Sequence, residues 1–285
     1  MNILTIDVED WFHLINPYPS IREFEASWEK HPSRVLLEVE KLLVLFEKHS
    51  VKATFFILGW VATHHPDVVR RIAGLGHDLG VHSYWHRPVN SQTPSEFRED
   101  LARALDAVES ATGVRCNKYR APGLSMPLNA AEYFHEMRAL GVTIDSSYSN
   151  YNGSHSTANL RASEPYIIDT PAGAVLELPV VKAPAFGLPL PAPVGGAFRL
   201  LPISLISRQI RNNKYYMSYF HPRDFDSNQP VLDGLPLLRR FKSYIGLSRS
   251  ELKLDVLLRN FDFIDVESAV DIIHRNANCS KMPTE

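Results

Sequence analysis

Cysteine is nearly absent from this chain. Cys116 and Cys279 are the two in 285 residues, far apart in sequence, which excludes both a disulfide framework and a cysteine-based metal knuckle. Charge of one sign is lacking too. Lys and Arg total 30 against 32 Asp and Glu, a net charge of −2 and a pI of about 6.6. No basic field across the chain points to nucleic acid or an anionic membrane surface. No apolar run approaches the ~18 residues that span a bilayer. The N-terminal Met-Asn-Ile-Leu-Thr-Ile-Asp lacks the positive n-region and long apolar h-region of a signal peptide, so the expectation is a cytoplasmic protein without a transmembrane segment. Internal repeats, linkers and low-complexity tracts are missing as well.

What is present is 45% hydrophobic and 22% charged residues, enough for one large domain with a proper core. Short apolar strands alternate with helical patterns, the signature of a parallel α/β architecture. Strands are expected at Ile3 to Asp7, Ala53 to Leu58, Asp78 to His82, Lys118 to Ala121, Val142 to Ser146, Val175 to Val181, Tyr215 to Phe220 and Phe261 to Asp265. Between them, Ser33 is placed to N-cap a helix with Val35, Leu36, Val39, Leu42, Leu43 and Phe46 on one face. His65-Pro-Asp starts a helix through Ala73. Thr93-Pro-Ser-Glu96 is a capping-box signature opening a helix that Gly113 ends. Further helices are expected at Leu128 to Leu140, Ile203 to Ile210, Glu251 to Leu258 and Glu267 to His274. Irregular insertions are expected near 148–173 and 184–198, with a helical and strand extension from about 231. The economical reading is one (β/α)-barrel-like domain over 1–285.

Three clusters carry chemistry. Asp7-Val-Glu-Asp10 ends the first strand, His82-Ser-Tyr-Trp-His86 follows the third, and His221-Pro-Arg-Asp224 follows Tyr215 to Phe220. Two imidazoles four residues apart, joined by a carboxylate from elsewhere, give three protein ligands and leave a position for water, as in catalytic zinc sites. Such a metal makes water nucleophilic. In parallel barrels the loops after the strands converge on one mouth. Asp7, Asp10, His82, His86, Arg120 and His221 all follow strand ends, and Asp145 lies late in its strand. A lone His-x3-His is weak evidence, since any helix with two surface histidines produces it.

The ordered motifs Leu4-Thr-Ile-Asp7, Ala53-Thr-Phe-Phe56, Gly76-His-Asp-Leu-Gly80, His82-x-x-x-His86, Arg120-Ala-Pro122 and Tyr219-Phe-His221 resemble the polysaccharide deacetylases of carbohydrate esterase family 4, with the NodB-like domain. Asp-Val-Glu-Asp-Trp, Asp145-Ser-Ser147, Gly195-Gly-x-Phe-Arg-Leu-Leu-Pro202 and His221-Pro-Arg-Asp-Phe-Asp226 are similar to a subfamily found with bacterial exopolysaccharide and lipopolysaccharide assembly. The resemblance implies an irregular, distorted seven-stranded TIM-like barrel. It also implies removal of the N-acetyl group from a sugar of a surface polysaccharide, or from its nucleotide- or lipid-linked precursor, the latter met at the membrane surface.

Roles follow by position. Asp7 matches the general base that takes a proton from metal-activated water, and His82 and His86 match metal-binding histidines. The family's second, ligating aspartate would stand at position 8, which here is Val. The third ligand is therefore Asp10 or Glu9, with Asp10 favoured. The implied cofactor is a divalent metal, foremost Zn, with Co, Mn, Fe or Ni compatible with two histidines and a carboxylate. Arg120 matches the arginine that holds the catalytic aspartate. The Gly123 N–H falls where the family forms an oxyanion donor. His221 matches the general acid for the departing amine, an imidazole having the right ordinary pKa for that task. Asp145 is assigned to orient or tune His221, and Arg199 to bind an anionic group of the substrate.

Other residues invite plainer readings. His64 and His65 beside Pro66 are expected to be solvated and His77 structural. Trp11, Trp85, Tyr148 and Tyr151 could stack on sugars, although such residues more often pack. Two competing functions are a metal-independent, allantoinase-like amide hydrolase and a non-catalytic sugar-binding relative.

Overall fold

The computed structural model describes residues 1–13, 25–149, 163–180, 195–232, 235–276 and 280–282. The strands are β1 (Asn2–Val8), β2 (Thr54–Ile57), β3 (Asp78–Val81), β4 (Lys118–Tyr119), β5 (Ile144–Asp145), β6 (Tyr166–Ile168), β7 (Val175–Glu177), β8 (Tyr216–Phe220) and β9 (Ser280–Met282). The helices are α1 (Val35–Lys48), α2 (Gly59–His64), α3 (Pro66–Gly74), α4 (Pro94–Thr112), α5 (Ala131–Ala139), α6 (Gly195–Leu200), α7 (Ile203–Asn212), α8 (Leu237–Tyr244), α9 (Ser250–Asn260) and α10 (Val266–Asn276).

The strands form one sheet in the order β8-β1-β2-β3-β4-β5-β7-β6-β9. From β8 to β7 every neighbouring pair is parallel, and β6 turns back antiparallel to β7. Seven parallel strands thus make the curled part, as expected of this barrel. No ladder joins β8 to β7 among the described residues. Side chains bridge the gap instead: the Tyr215 hydroxyl donates to the Pro179 carbonyl at 2.9 Å, and the Ser146 hydroxyl lies 3.1 Å from the Met217 sulfur.

The alternation of strand side chains sorts the core into two layers. Leu4, Ile6 and Val8 on β1, with Phe55 and Ile57 on β2, pack outward under the helices. Ile3, Phe56 and Met217 belong to the separate cluster inside the curl. Thr5 and Asp7 share the face of Ile3, so period 2 alone carries two polar side chains into the barrel interior. Gly80 on β3 makes room there. A Cβ at that position would lie 2.6 Å from the Phe56 ring.

Register then lines up the site. Val8, Ile57, Val81, Tyr119, Asp145 and Glu177 form one rank across six parallel strands. His82, Arg120 and Ser146 are the next residues after three of them, and His221 follows Phe220, which pairs with Ile6. All chemistry-bearing residues therefore emerge on one edge.

Several sequence expectations are corrected. The Thr93–Glu96 capping box is present, and Gly113 ends α4 at φ 75°. Ser33 does not cap α1, whose N-cap position is Arg34 and makes no side-chain cap bond. The stretch expected to be a strand at Phe261 to Asp265 makes a single bridge, Ile264 to Ile3. The expected insertion at 148–173 contains β6, and its part at 150–162, like most of that at 184–198, lies outside the described residues. Helices α2 and α6 were not foreseen, and α8 was foreseen only as part of the helical extension from about 231. Two are six residues long and the third eight, too short for a helical period to stand out.

Candidate active site

Glu9, His82 and His86 form the centre. Their ligand-capable atoms lie within 4.8 Å of one another, and a second group of the same kind joins Asp7, Glu9 and His221. Glu9 Oε1 is 3.2 Å from His82 Nε2, 2.8 Å from His86 Nε2 and 3.7 Å from His221 Nε2. The carboxylate is buried at 4% exposure. Burial alone would raise its pKa. The charges of His86 and His221 and the close approach of the His82 and His86 imidazoles outweigh burial and hold it well below the ordinary value.

The backbone delivers both histidines without a helix. Residues 82–88 are irregular, and Ser83 (φ 64°) and His86 (φ 54°) occupy the left-handed region that side-chain-bearing residues rarely adopt. Asp100 on α4 fixes this loop. Its carboxylate, 7% exposed, accepts the Tyr84 N–H at 2.8 Å and the Trp85 N–H at 3.0 Å. The sequence offered a signal for it: Asp100 stands on the helix face that also carries Phe97, Leu101, Ala104, Leu105 and Val108.

The donor set fits a metal cation. His82 Nδ1 lies 2.8 Å from the Arg120 carbonyl, which can only accept, so Nδ1 carries the proton and Nε2 presents its lone pair to Glu9. A ring nitrogen held by a carbonyl in this way is the usual support of a metal-binding imidazole. His86 Nε2 is close to Glu9 Oε1, yet the angle is outside hydrogen bonding and the atom is buried without a partner. Two imidazole nitrogens and a carboxylate oxygen converging in this manner call for a positive centre between them.

Asp10, favoured by the sequence as third ligand, points elsewhere. Its carboxylate accepts from the Ser33 hydroxyl, the Trp11 N–H at 2.9 Å, the Arg34 N–H at 3.1 Å and the Val35 N–H at 3.4 Å. Asp10 thus caps the start of α1 from outside the helix, taking the place expected of Ser33. Along β1 the side chains alternate, and Glu9, two residues beyond Asp7, returns to the face of Asp7.

Arg120 organises the barrel interior. Fully buried, it donates through Nη1 to Asp7 Oδ1 at 2.9 Å and Thr5 Oγ1 at 2.7 Å. Through Nε and Nη2 it reaches the Ser146 carbonyl at 3.2 Å and the Ser146 hydroxyl at 2.9 Å, and its guanidinium lies 4.3 Å over the Phe56 ring. The other Asp7 oxygen faces His82 Nε2 at 3.7 Å.

His221 stands beside the cluster. Its partner is Asp224, which accepts the His221 N–H at 3.0 Å and faces Nδ1 at 3.2 Å. Burial would depress the imidazole pKa. The charge of Glu9, then the hydrogen bond and charge of Asp224, lift it to about 9. Asp224 stays well below the ordinary carboxylate value: burial is outweighed by the Arg199 charge and by its bonds to His221.

Arg199 is that partner and not a free anion site. It is 5% exposed, pairs with Asp224, and donates to the carbonyls of Ile245 at 2.9 Å, Lys242 at 2.6 Å and Ser243 at 3.1 Å. Asp145 is likewise not the partner of His221. It accepts from the Ser147 hydroxyl at 2.5 Å, and that hydroxyl accepts the Ala121 N–H at 2.8 Å. Asp145 therefore braces the turn that carries Gly123, a half-buried residue at φ 62°. Burial raises the Asp145 pKa to about 6, against hydrogen bonds with Glu177 and Ser147 that lower it.

Of the plainer readings, His77 accepts the Ala53 N–H at 3.3 Å and is structural, its pKa pushed down to about 4 chiefly by burial. His64 is exposed and stacks on Trp60. Trp11 and Tyr148 are packed inside, their polar ends bonded to the Pro32 and Pro127 carbonyls. Trp85 is half-buried, and Tyr151 lies outside the described residues.

Comparison with known proteins agrees with this architecture. Residues 36–144 match the family described as Polysaccharide deacetylase, and residues 146–271 match a Domain of unknown function (DUF3473). Over residues 36–144, about two fifths of its length, the chain is therefore similar to polysaccharide deacetylases. An uncharacterized Bacillus subtilis protein, YlxY, is 33% identical over 30% of this chain and 26% of its own length. The peptidoglycan-N-acetylglucosamine deacetylase of Bacillus cereus is 34% identical over 29% of this chain and 30% of its own. The alignments thus span well under half of these relatives. A candidate polysaccharide deacetylase from Mycobacterium smegmatis superposes with a TM-score of 0.65 at 21% identity, covering 99% of this chain and 92% of that one, a likeness of fold.

Proposed function

We propose that this protein is a metal-dependent N-deacetylase that removes the acetyl group from an N-acetylated sugar of a bacterial surface polysaccharide or of its nucleotide- or lipid-linked precursor. One observation carries the reading: Glu9, His82 and His86 converge, and Asp7 and His221 adjoin them at Glu9. A divalent cation, foremost zinc, held by those three residues would supply Lewis acidity to the acetyl carbonyl and acidify a water. Asp7 is held at Oδ1 by Arg120, and its Oδ2 faces the cluster as the base for the attacking water's proton. The Gly123 N–H is the donor for the oxygen that becomes negative. His221, oriented through Nδ1 by Asp224, gives its Nε2 proton to the departing amine.

The sugar class is supported by the match of residues 36–144 and by the Bacillus cereus relative, a peptidoglycan-N-acetylglucosamine deacetylase. The resemblance of the Asp-Val-Glu-Asp-Trp motif supports exopolysaccharide or lipopolysaccharide assembly as its setting. The allantoinase-like alternative needs no metal and leaves the convergence of two imidazoles on Glu9 without a purpose.

The test is acetate release from a panel of N-acetylated oligosaccharides and nucleotide-linked sugars, using zinc-loaded protein, chelated protein and Asp7→Asn. Release abolished in both controls is expected. Release that survives chelation overturns the metal mechanism.

A further inference from the structure

Helix α8 stands apart among the described helices. None of its eight residues, Leu-Leu-Arg-Arg-Phe-Lys-Ser-Tyr, is buried. Leu237 is 85% exposed, Leu238 66% and Phe241 52%, and Arg240 and Lys242 between and beside them are exposed too. Lone exposed apolar residues need no explanation, but three large ones on one short helix do. Charge sharpens the point. Positions 235 to 250 contain Arg239, Arg240, Lys242 and Arg249 and no acidic residue, in a chain whose net charge is −2. The local field is opposite in sign to that of the whole.

We infer that α8 is a docking element for an anionic lipid bilayer. Leucine and phenylalanine beside arginine and lysine on one solvent-facing helix is the composition that lies in a membrane interface. The apolar side chains enter the acyl boundary while the long basic ones reach the headgroup phosphates. A second copy of this chain is the poorer occupant, because a two-fold contact through α8 would set Arg240 and Lys242 against their own counterparts. No helix among the described residues is long and apolar enough to cross a membrane, so attachment through α8 is peripheral.

The helix is also tied to the catalytic side chains. Arg199 donates to the carbonyls of Lys242 and Ser243 in α8 and to that of Ile245 just after it, while pairing with Asp224, the partner of His221. A surface that holds α8 therefore holds the wall of the site that carries His221. The inference stands apart from the proposed activity, and its test involves no turnover.

The experiment is co-sedimentation of the whole chain with vesicles of phosphatidylcholine alone or with 30% phosphatidylserine (about one anionic lipid in three, enough for the field described). Wild-type protein is expected to partition onto the anionic vesicles, about tenfold or more weakly onto neutral ones, and to be released by 0.5 M salt, roughly where screening shortens to a few ångströms. Arg240→Glu with Lys242→Glu should lower partitioning by at least about 25-fold, at about fivefold per lost cation. Leu238→Ser with Phe241→Ser should lower it by about tenfold or more. All four positions are exposed, so far-UV spectra should not change. Absence of binding to either vesicle, or equal binding by wild type and variants, overturns the inference. So does a wild-type dimer in sedimentation velocity that the α8 variants convert to monomer, which would make this face a self-interface.

Discussion

Glu9 and Asp10 are adjacent carboxylates with opposite assignments, and exchanging each for its amide separates them. Asp10 accepts from the Arg34 and Val35 N–H groups and the Ser33 hydroxyl at the start of α1, and from the neighbouring Trp11 N–H. Losing a helix cap costs about 0.5–2 kcal/mol, and the charge at a helix N-terminus adds about 0.3–1. Burial raises the Asp10 pKa, which opposes the charged form and keeps the sum toward the low end. Asparagine still offers one acceptor. Asp10→Asn should therefore cost about 1–2 kcal/mol, a fall of roughly 2–6 °C in melting temperature, with metal binding intact. Glu9→Gln removes the charged member of the Glu9, His82 and His86 set. Since losing a group that merely supports a ligand weakens metal binding about 10–100-fold, losing the ligand should weaken it by about 100-fold or more. The assay is zinc content after equilibrium dialysis, paired with thermal melts of the metal-free proteins. If Glu9→Gln keeps stoichiometric zinc while Asp10→Asn loses it, the assignment is wrong.

Three further outcomes follow from the same contacts. His221 must be protonated to act as an acid; with its pKa lifted to about 9, that form is present below this value and lost above it. A cation held at Glu9 would offset the Glu9 charge, so in the zinc-loaded enzyme the alkaline limb of the kcat profile should fall below that value, and Asp224→Asn should move it further down by about one unit or more; an unmoved limb excludes Asp224 as the positioning residue. Glu38, fully buried with both carboxylate oxygens unpartnered, has its pKa raised to about 9, first by burial and then by the charges of Asp10 and Asp226. The folded state keeps a proton that the unfolded chain releases, so the stability this group contributes is full below about 4.5 and is lost as pH rises toward 9. Glu38→Gln should be close to neutral at pH 4.5 and stabilising by on the order of a few kcal/mol at pH 8 in urea unfolding; equal effects at both pH values would contradict this. Finally, Arg199→Met leaves Asp224 buried without its cation and should cost about 3–5 kcal/mol, lowering kcat with KM nearly unchanged. A rise in KM alone would restore Arg199 to the anion-binding role read from the sequence.

The strands of the barrel and the edge that bears the site were legible because both are local in origin. Apolar runs such as Ile3 to Asp7 and Ala53 to Leu58 are punctuated by turn residues, and register then places every strand end together. The residues that meet at that edge were legible at His82, His86, Asp7, Arg120 and His221, where residue type and order coincide with a resemblance. It failed where a side chain's partner lies far along the chain. Asp10 looks like a ligand until α1 is seen to begin at its carboxylate, and Arg199 looks like a substrate contact until Asp224 is found against it. Asp100 shows the reverse case, a carboxylate on an apolar helix face whose purpose appears only when the irregular Ser83–Trp85 loop folds onto it. The short helices α2 and α6 escaped, and the bounds of α8 with them, because six to eight residues cannot display a period.

Anomalous diffraction at the zinc edge from crystals of the zinc-loaded protein tests the central claim most directly. The account predicts one strong peak at about 2.0–2.2 Å from Glu9 Oε1, His82 Nε2 and His86 Nε2, with Asp10 still at the start of α1. A peak bonded to Asp10, or none among these residues at full zinc loading, would contradict it.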